Sequence, residues 1–166
     1  MKSNSVEAGV GLIEVMVAIL LLSVAVLGFS ALQLRAISAT DESLLRTQAL
    51  SVIRGLAENM RANSQQIDTY QQTINDATKT VESCTECTAE QIAINESKAA
   101  FEQLNDYGIS VKMVTCPGTA DFSQVKCVIA AWRDTKPLMD DSDNDACANE
   151  NGIYNSGSNC IIVETY

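Results

Sequence analysis

The sequence predicts an α+β protein in which a long N-terminal helix packs on a small antiparallel sheet that disulfides stabilise. Three observations predict this fold: an uncharged apolar run that continues at helical spacing, segments that alternate in period two, and six cysteines confined to the second half of the chain. The chain has 166 residues, of which 46% are hydrophobic and 19% charged. That is enough for one folded domain and too apolar for disorder throughout.

The first predicted element is an apolar helix. Residues 15–34 read VMVAILLLSVAVLGFSALQL, with no charge and no proline. A helix of this length spans about 30 Å, the thickness of the hydrocarbon core of a bilayer. A secretory signal peptide is the alternative, but its apolar run is shorter and ends at a small-residue cleavage site. We therefore expect a retained membrane-spanning helix.

The same helix is predicted to continue with only one apolar side. Apolar residues recur at helical spacing beyond residue 34, at Ile37, Leu44, Leu45, Ala49, Val52, Ile53, Leu56 and Met60. No proline interrupts the stretch, so one helix is expected from about residue 10 to about residue 61. Its first part should meet lipid or other apolar helices, and its second part should pack on a globular region.

The remaining elements are predicted from local spacing in residues 62–166. Residues 62–89 are polar and are interpreted as a loop with little regular structure. The apolar spacing over residues 90–105 predicts a short helix. Residues 108–116 and 125–133 alternate in period two and predict a β-hairpin with Trp132 in the core of the sheet, and residues 160–166 predict a last strand.

The cysteines indicate a disulfide framework. They are Cys84, Cys87, Cys116, Cys127, Cys147 and Cys160. An even number in this pattern indicates an oxidising compartment, and a zinc site is disfavoured because only the first two have paired spacing. Six cysteines allow fifteen pairings. The preferred set is 84–87, 116–127 and 147–160, because each pair closes a short loop. A redox role for the C-x-x-C pair is disfavoured by Glu86, a negative charge where a reactive thiolate needs positive surroundings.

Composition excludes several classes of function. The chain has no histidine, which removes imidazole bases, histidine-activated nucleophiles and histidine metal sites. A net charge of −10 opposes direct binding to nucleic acid. We expect no enzymatic activity and no cofactor.

One acidic segment raises the question of calcium. Asp141, Asp143 and Asp145 match the first, third and fifth positions of an EF-hand loop. However, Ala146 stands where glycine is required and Gly152 where glutamate is required. An EF-hand is rejected, and a solvated acidic turn is favoured over an irregular calcium site.

A single acidic residue, Glu14, stands at the start of the apolar helix, in GVGLIEVMV. A carboxylate costs about 2.5–3.5 kcal/mol at the middle of a membrane helix and less near the interface, so it is a functional candidate. Cleavage between Gly9 and Val10 would place a new ammonium group about one helical turn before Glu14. The alternative is an interfacial glutamate that faces lipid headgroups.

These residues resemble the type IV pilins and pseudopilins. The family pattern is a glycine followed by Phe-Thr-Leu-Ile-Glu; here Val10 and Gly11 replace the first two residues and Leu-Ile-Glu14 is kept. Many major pilins have a helix-kinking proline where this chain has Ala31, which disfavours a major-subunit role. The C-x-x-C pair, the following Ala-rich helix and the strand that ends at Trp132 are similar to minor pilins of the PilV type.

The resemblance implies a domain organisation and a set of partners. Residues 1–9 would be a leader that prepilin peptidase removes after Gly9, and Val10 would be N-methylated. Residues 10–34 would form the transmembrane and assembly helix, 35–61 its amphipathic continuation, and 62–166 a periplasmic α+β region. The partners would be the peptidase/N-methyltransferase, other major and minor pilins, and inner-membrane lipid. The protein would cross the inner membrane once and later enter a pilus at the cell surface.

The expected function is that of a minor type IV pilin that takes part in pilus initiation or assembly, with Glu14 paired to a neighbour's N-terminus. A minor pseudopilin of a type II secretion system is the first alternative, because it shares every N-terminal feature. A membrane-tethered periplasmic redox protein that uses Cys84 and Cys87 is a second alternative. A single-span adhesin or DNA-uptake receptor is a third.

Overall fold

The computed structural model describes residues 11–76, 78–81, 83–119 and 125–165. Its helices are α1 (Leu12–Ala62), a 3₁₀ turn (Ser64–Gln66), α2 (Ile67–Asn75) and α3 (Ala89–Asp106). Its strands are β1 (Ile109–Thr115), β2 (Lys126–Trp132), β3 (Lys136–Met139), β4 (Ala146–Ala148) and β5 (Cys160–Glu164). The long helix, the small antiparallel sheet and three disulfides confirm the predicted α+β fold. The chain divides into two compact units, Met1–Glu42 and Ser43–Tyr166.

The described part of the first unit is the N-terminal portion of α1. Its side chains are exposed from residue 11 to residue 41. Among the described helices, α1 is the one long and apolar enough to cross a membrane. The helix predicted from about residue 10 to about residue 61 is thus observed as a single element of 51 residues.

The C-terminal part of α1 forms one wall of the core of the second unit. Its buried residues follow helical spacing: Ala49, Ile53, Leu56, Ala57 and Met60. Ile37 and Leu44, which we expected on the same apolar side, are instead more than half exposed. Ile37 precedes the second unit and Leu44 lies off the buried side, so the apolar stripe begins at the partly buried Leu45.

A three-stranded sheet in the order β1-β2-β5 covers the buried side of the helices. The β1–β2 register, from Ile109 opposite Trp132 to Thr115 opposite Lys126, confirms the predicted hairpin. β5 pairs antiparallel with β2 and confirms the last strand. Trp132 is buried in the main core, as expected.

The central strand β2 is buried at all seven positions because both of its faces are covered. Val128, Ala130 and Trp132 belong to the core that the helices share. Ile129 and Ala131 form a second cluster with the cysteines Cys147 and Cys160 on the opposite face. Because both faces are covered, β2 carries apolar residues at consecutive positions, whereas a strand with one exposed face would carry them only at alternate positions.

The expectation of an irregular loop over residues 62–89 is wrong for its first half. That half contains the 3₁₀ turn and α2, and α2 buries Tyr70, Thr73 and Ile74. These residues recur three and four positions apart, which is the spacing of one helix face. The polar neighbours Thr69, Gln71 and Gln72 hid the pattern because they resemble loop composition.

The sequence also did not predict β3 and β4. These two short strands form a separate parallel ladder, with Lys136 opposite Ala146 and Met139 opposite Ala148. With four and three residues they are too short to show a period-two pattern. β4 carries Cys147, and Met139 of β3 packs against the same cluster, so the ladder belongs to the layer on the second face of β2.

Three disulfides close short loops in the second unit. They are Cys84–Cys87, Cys116–Cys127 and Cys147–Cys160, with Cα–Cα separations of 5.2, 5.0 and 5.8 Å. These are the three local pairs preferred from the sequence. The second links β1 and β2 at the loop end of their hairpin, and the third ties β4 to β5.

Candidate functional site

Glu14 lies in the first turn of α1, where its backbone N–H donates to the carbonyl of Gly11 at 3.0 Å. A negative side chain is favourable here because the free N–H groups give the helix start a partial positive charge. The adjacent side chains Leu12 and Ile13 are 83% and 72% exposed. The structure thus places one carboxylate at the end of an uncovered apolar surface. Gly9 and Val10 lie outside the described residues.

The apolar surface extends around all sides of α1 from residue 12 to residue 34. Its large exposed members are Leu12, Ile13, Val15, Met16, Val17, Ile19, Leu20, Leu21, Leu22, Val24, Val26, Leu27, Phe29, Leu32 and Leu34. Exposing such area to water costs about 25 cal/mol per Å². A helix that is hydrophobic all round is stable only when lipid or other helices cover it.

The two serine hydroxyls of this segment are satisfied within the helix itself. Ser23 Oγ donates to the carbonyl of Ile19 at 2.7 Å, and Ser30 Oγ donates to that of Val26 at 2.9 Å. A side-chain hydroxyl that bonds the carbonyl four residues earlier needs no water. The segment is therefore compatible with a hydrocarbon environment, where unsatisfied polar groups are costly.

The acidic segment forms a turn organised by its own hydrogen bonds. Asp140 Oδ1 accepts from the backbone N–H and the hydroxyl of Ser142, at 2.7 and 2.6 Å, and these bonds lower the pKa of Asp140. Asp143 pairs with Lys136 Nζ at 2.7 Å. The contact with Lys136 and a hydrogen bond from the N–H of Asp145 lower the pKa of Asp143. The contact with Asp143 in turn raises the pKa of Lys136.

The three calcium candidates have other partners in the structure. Asp141 Oδ1 accepts from the N–H of Glu150 at 3.1 Å, while Asp143 and Asp145 both approach Lys136, at 2.7 and 3.7 Å. Within the described ranges, no group of three or more acidic or cysteine side chains is placed to hold a metal ion. A lysine thus occupies the position between two of the candidate carboxylates.

A group of polar contacts that the sequence did not predict connects α2 to its neighbours. The buried Tyr70 hydroxyl donates to the carboxylate of Glu96 on α3. Burial and this hydrogen bond raise the pKa of Tyr70 well above its usual value. Lys126, also buried, donates through Nζ to Gln71 Oε1 at 2.8 Å. The helical spacing of Tyr70 and Ile74 was the sequence signal that could have located these contacts.

Asn75 makes the most specific of these contacts. Its Nδ2 donates to the carbonyl of Met113 at 2.8 Å, and its Oδ1 accepts from the N–H of Met113 at 2.9 Å. β1 is an edge strand, so the side chain occupies a position where a further strand would pair. Gln71 Nε2 adds a bond of 3.2 Å to the same carbonyl.

An apolar helix that runs into a small disulfide-linked α+β unit defines a pilin-like protein. Residues 31–117 match the sequence profile of the Tt1218-like family, described as type IV pilin Tt1218. The match spans just over half of the chain, from the end of the apolar run to the start of the hairpin loop. The chain therefore belongs to the Tt1218-like family of type IV pilins. No curated protein and no solved structure gave a significant match.

Membership of this family defines the coarse function. The protein is a pilin-type structural subunit, and its family is structural rather than enzymatic. Subunits of this kind interact with other pilins. The exposed apolar part of α1 is compatible with membrane anchoring and with incorporation into a pilus.

Proposed function

We propose that this protein is a minor type IV pilin of the PilV type that takes part in initiating or assembling the pilus. Family membership and the exposed apolar helix support this proposal. Ala31, at the position where many major pilins have a helix-kinking proline, favours a minor role. The single observation that carries the mechanism is the carboxylate of Glu14 at the start of an otherwise apolar, uncovered helix.

The proposed precursor carries a leader over residues 1–9. Prepilin peptidase cleaves it after Gly9 and methylates the new N-terminus at Val10. Residues 10–34 then hold the subunit in the inner membrane, while residues 62–166 face the periplasm. The three disulfides support the periplasmic location, because disulfides persist in oxidising compartments.

Assembly exchanges lipid contacts for contacts with the apolar helices of neighbouring pilins. Since lipid tails are as apolar as leucine, van der Waals packing drives this exchange. Packing alone tolerates sliding along the helix axis. A Glu14 carboxylate paired with the N-terminal ammonium of a neighbour removes that freedom, because a misplaced subunit leaves both charges unpaired in an apolar environment.

The test is replacement of Glu14 by alanine and, separately, by glutamine. Both variants should be cleaved and inserted into the membrane normally, because the cleavage site and the apolar run over residues 15–34 are left intact. Both should appear in sheared pili at no more than about a tenth of the wild-type fraction, since each loses the proposed ion pair between residue 14 and a neighbour's N-terminus in an apolar environment. Mass spectrometry of the membrane form measures cleavage, and immunoblotting of sheared fibres measures incorporation.

Asp41→Ala is the matched control, since Asp41 is an exposed acid on the same helix outside the apolar run. It should enter pili at the wild-type level. Normal incorporation of Glu14→Ala would overturn the pairing mechanism. Mature protein that begins at Met1 would overturn the processing scheme.

A minor pseudopilin is the second candidate, supported by the same N-terminal features. Gene deletion separates the two functions. Loss of surface pili with normal secretion supports the proposal, whereas loss of exoprotein secretion with normal pili supports the pseudopilin.

A further inference from the structure

The three disulfides differ in their accessibility to a reductant. Cys116, Cys127, Cys147 and Cys160 are each at most 3% exposed. Cys87 is exposed and Cys84 is partly exposed, so the first disulfide meets solvent while the others lie within the core. Because a thiolate must reach a sulfur atom directly, access controls which disulfide is attacked.

The accessible disulfide lies directly before α3, whose start has its own support. Thr88 Oγ1 accepts from the N–H of Gln91 at 3.3 Å, and Gln91 Oε1 accepts from the N–H of Thr88 at 3.0 Å. Asn63 Nδ2 also donates to the carbonyl of Ala89 at 2.7 Å. This reciprocal cap does not involve the cysteines. The disulfide can therefore open without removing the contacts that begin the helix.

We propose that Cys84–Cys87 is a reversibly reducible site that reacts with a dithiol, either a small molecule or a protein, while the other two disulfides remain closed. A thiolate of the dithiol attacks Sγ of Cys87, forms a mixed disulfide and releases the Cys84 thiolate, which takes up a proton. The second thiol of the dithiol then displaces Cys87 and closes its own disulfide. Two electrons and two protons pass from the dithiol to the protein.

The charges around the site select the reductant. Glu86 lies between the two cysteines, and Glu90 lies in the first turn of α3. Both carboxylates are exposed, and they oppose the approach of an anionic thiol and the formation of a protein thiolate. A dithiol with no charge other than its attacking thiolate should therefore react faster than glutathione, which carries additional carboxylates.

The experiment uses the full chain, oxidised, in detergent micelles. Aliquots taken during reaction with dithiothreitol are quenched with N-ethylmaleimide and mapped by peptide mass. We expect a species labelled at Cys84 and Cys87 alone, which forms at least about tenfold faster than any species labelled elsewhere. The helical circular dichroism signal should stay unchanged through this first step, and air oxidation should restore the starting mass.

Several results would overturn the inference. These are simultaneous labelling of all six cysteines, earlier labelling of a buried pair, or loss of the helical signal together with the first two labels. The double variant Cys84→Ser/Cys87→Ser serves as the assignment control and should show no early-labelled pair. An early pair in that variant would show that another disulfide is the accessible one.

A charge variant tests the electrostatic part separately. Glu86→Gln should raise the rate with glutathione by several-fold and raise the rate with dithiothreitol less. Glu102→Gln, at an exposed acid further along α3, should change neither rate. Equal glutathione rates for wild type and Glu86→Gln would contradict the role given to Glu86. Pilus assembly is not measured in any arm, so these outcomes do not depend on the proposed function.

Discussion

Two glycines of the second unit have equal space around them and different backbone angles. A Cβ added at Gly55 or at Gly108 would meet no neighbouring atom within 4 Å. Gly55 lies in the interior of α1, whereas Gly108 follows α3 with φ of +71°. The backbone angle, rather than steric room, therefore decides how each position responds to a larger residue.

Gly55→Ala should stabilise the protein by about 0.5–1 kcal/mol, because alanine has the higher helix propensity and restricts the unfolded chain. Gly108→Ala should destabilise it by about 1–2 kcal/mol, because its φ is left-handed. Urea unfolding of the full chain in detergent measures both. Destabilisation by Gly55→Ala would show that the added methyl group meets neighbouring atoms, contrary to the open space around Gly55.

Asn75 is the second residue whose role depends on its surroundings. Asn75→Ala leaves both backbone groups of Met113 without their side-chain partner, which should cost about 1–3 kcal/mol. It also exposes the outer edge of β1 to pairing with another chain. Lower thermal stability and a greater tendency to self-associate are expected, measured by calorimetry and light scattering.

The control is Asn105→Ala, because Asn105 is an exposed residue of α3. It should change the free energy of unfolding by less than about 0.5 kcal/mol. If Asn75→Ala and Asn105→Ala behave alike, the contact with Met113 does not stabilise the sheet edge.

At the scale of elements, α1 changes its environment along its length. Residues 12–34 carry large apolar side chains on every side, whereas from Leu45 onward one side is apolar and packs on the core. The predominantly apolar composition makes residues 12–34 hydrophobic on every side, whereas the helical spacing of apolar residues restricts them to one side from Leu45 onward. The same helix can therefore serve as an anchor and as a wall of the globular unit.

The short helix α2, in contrast to α1, depends on tertiary contacts for its stability. It has nine residues, too few for stability as an isolated helix. Its stability comes from Tyr70 and Ile74 in the core and from polar contacts to α3 and the sheet. Such contacts join residues far apart in the sequence, which is why local composition suggested a loop.

At the scale of the whole molecule, the second unit should fold without the first. Both buried clusters lie within residues 43–166, as do all three disulfides. A fragment of residues 43–166 secreted into an oxidising compartment should be monomeric in water and unfold cooperatively, whereas the full chain should require detergent. Gel filtration and circular dichroism melting measure this. A fragment that aggregates, or that melts without a cooperative transition, would show that the apolar part of α1 is needed for folding.

The candidate site was predictable in part. Glu14 and the apolar run are readable from the sequence because an ionisable residue beside uncharged neighbours is conspicuous without a structure. The observed arrangement of Asp141, Asp143 and Asp145 depends on contacts with Lys136 and Glu150 that no spacing rule reveals. The cleavage and methylation positions, Gly9 and Val10, remain sequence predictions.

The sequence by itself determined the long helix, α3, the hairpin and the last strand, because each rests on a local pattern of apolar residues. It also favoured the disulfide pairs seen in the structure, since short loops bring their ends together at low entropic cost. Only the tertiary structure decided that α2 is helical, that β3 and β4 cover the second face of β2, and that Ile37 and Leu44 stay exposed. Each of these outcomes depends on contacts between residues that are far apart in the sequence. Such contacts leave no local pattern that could be recognised in the sequence.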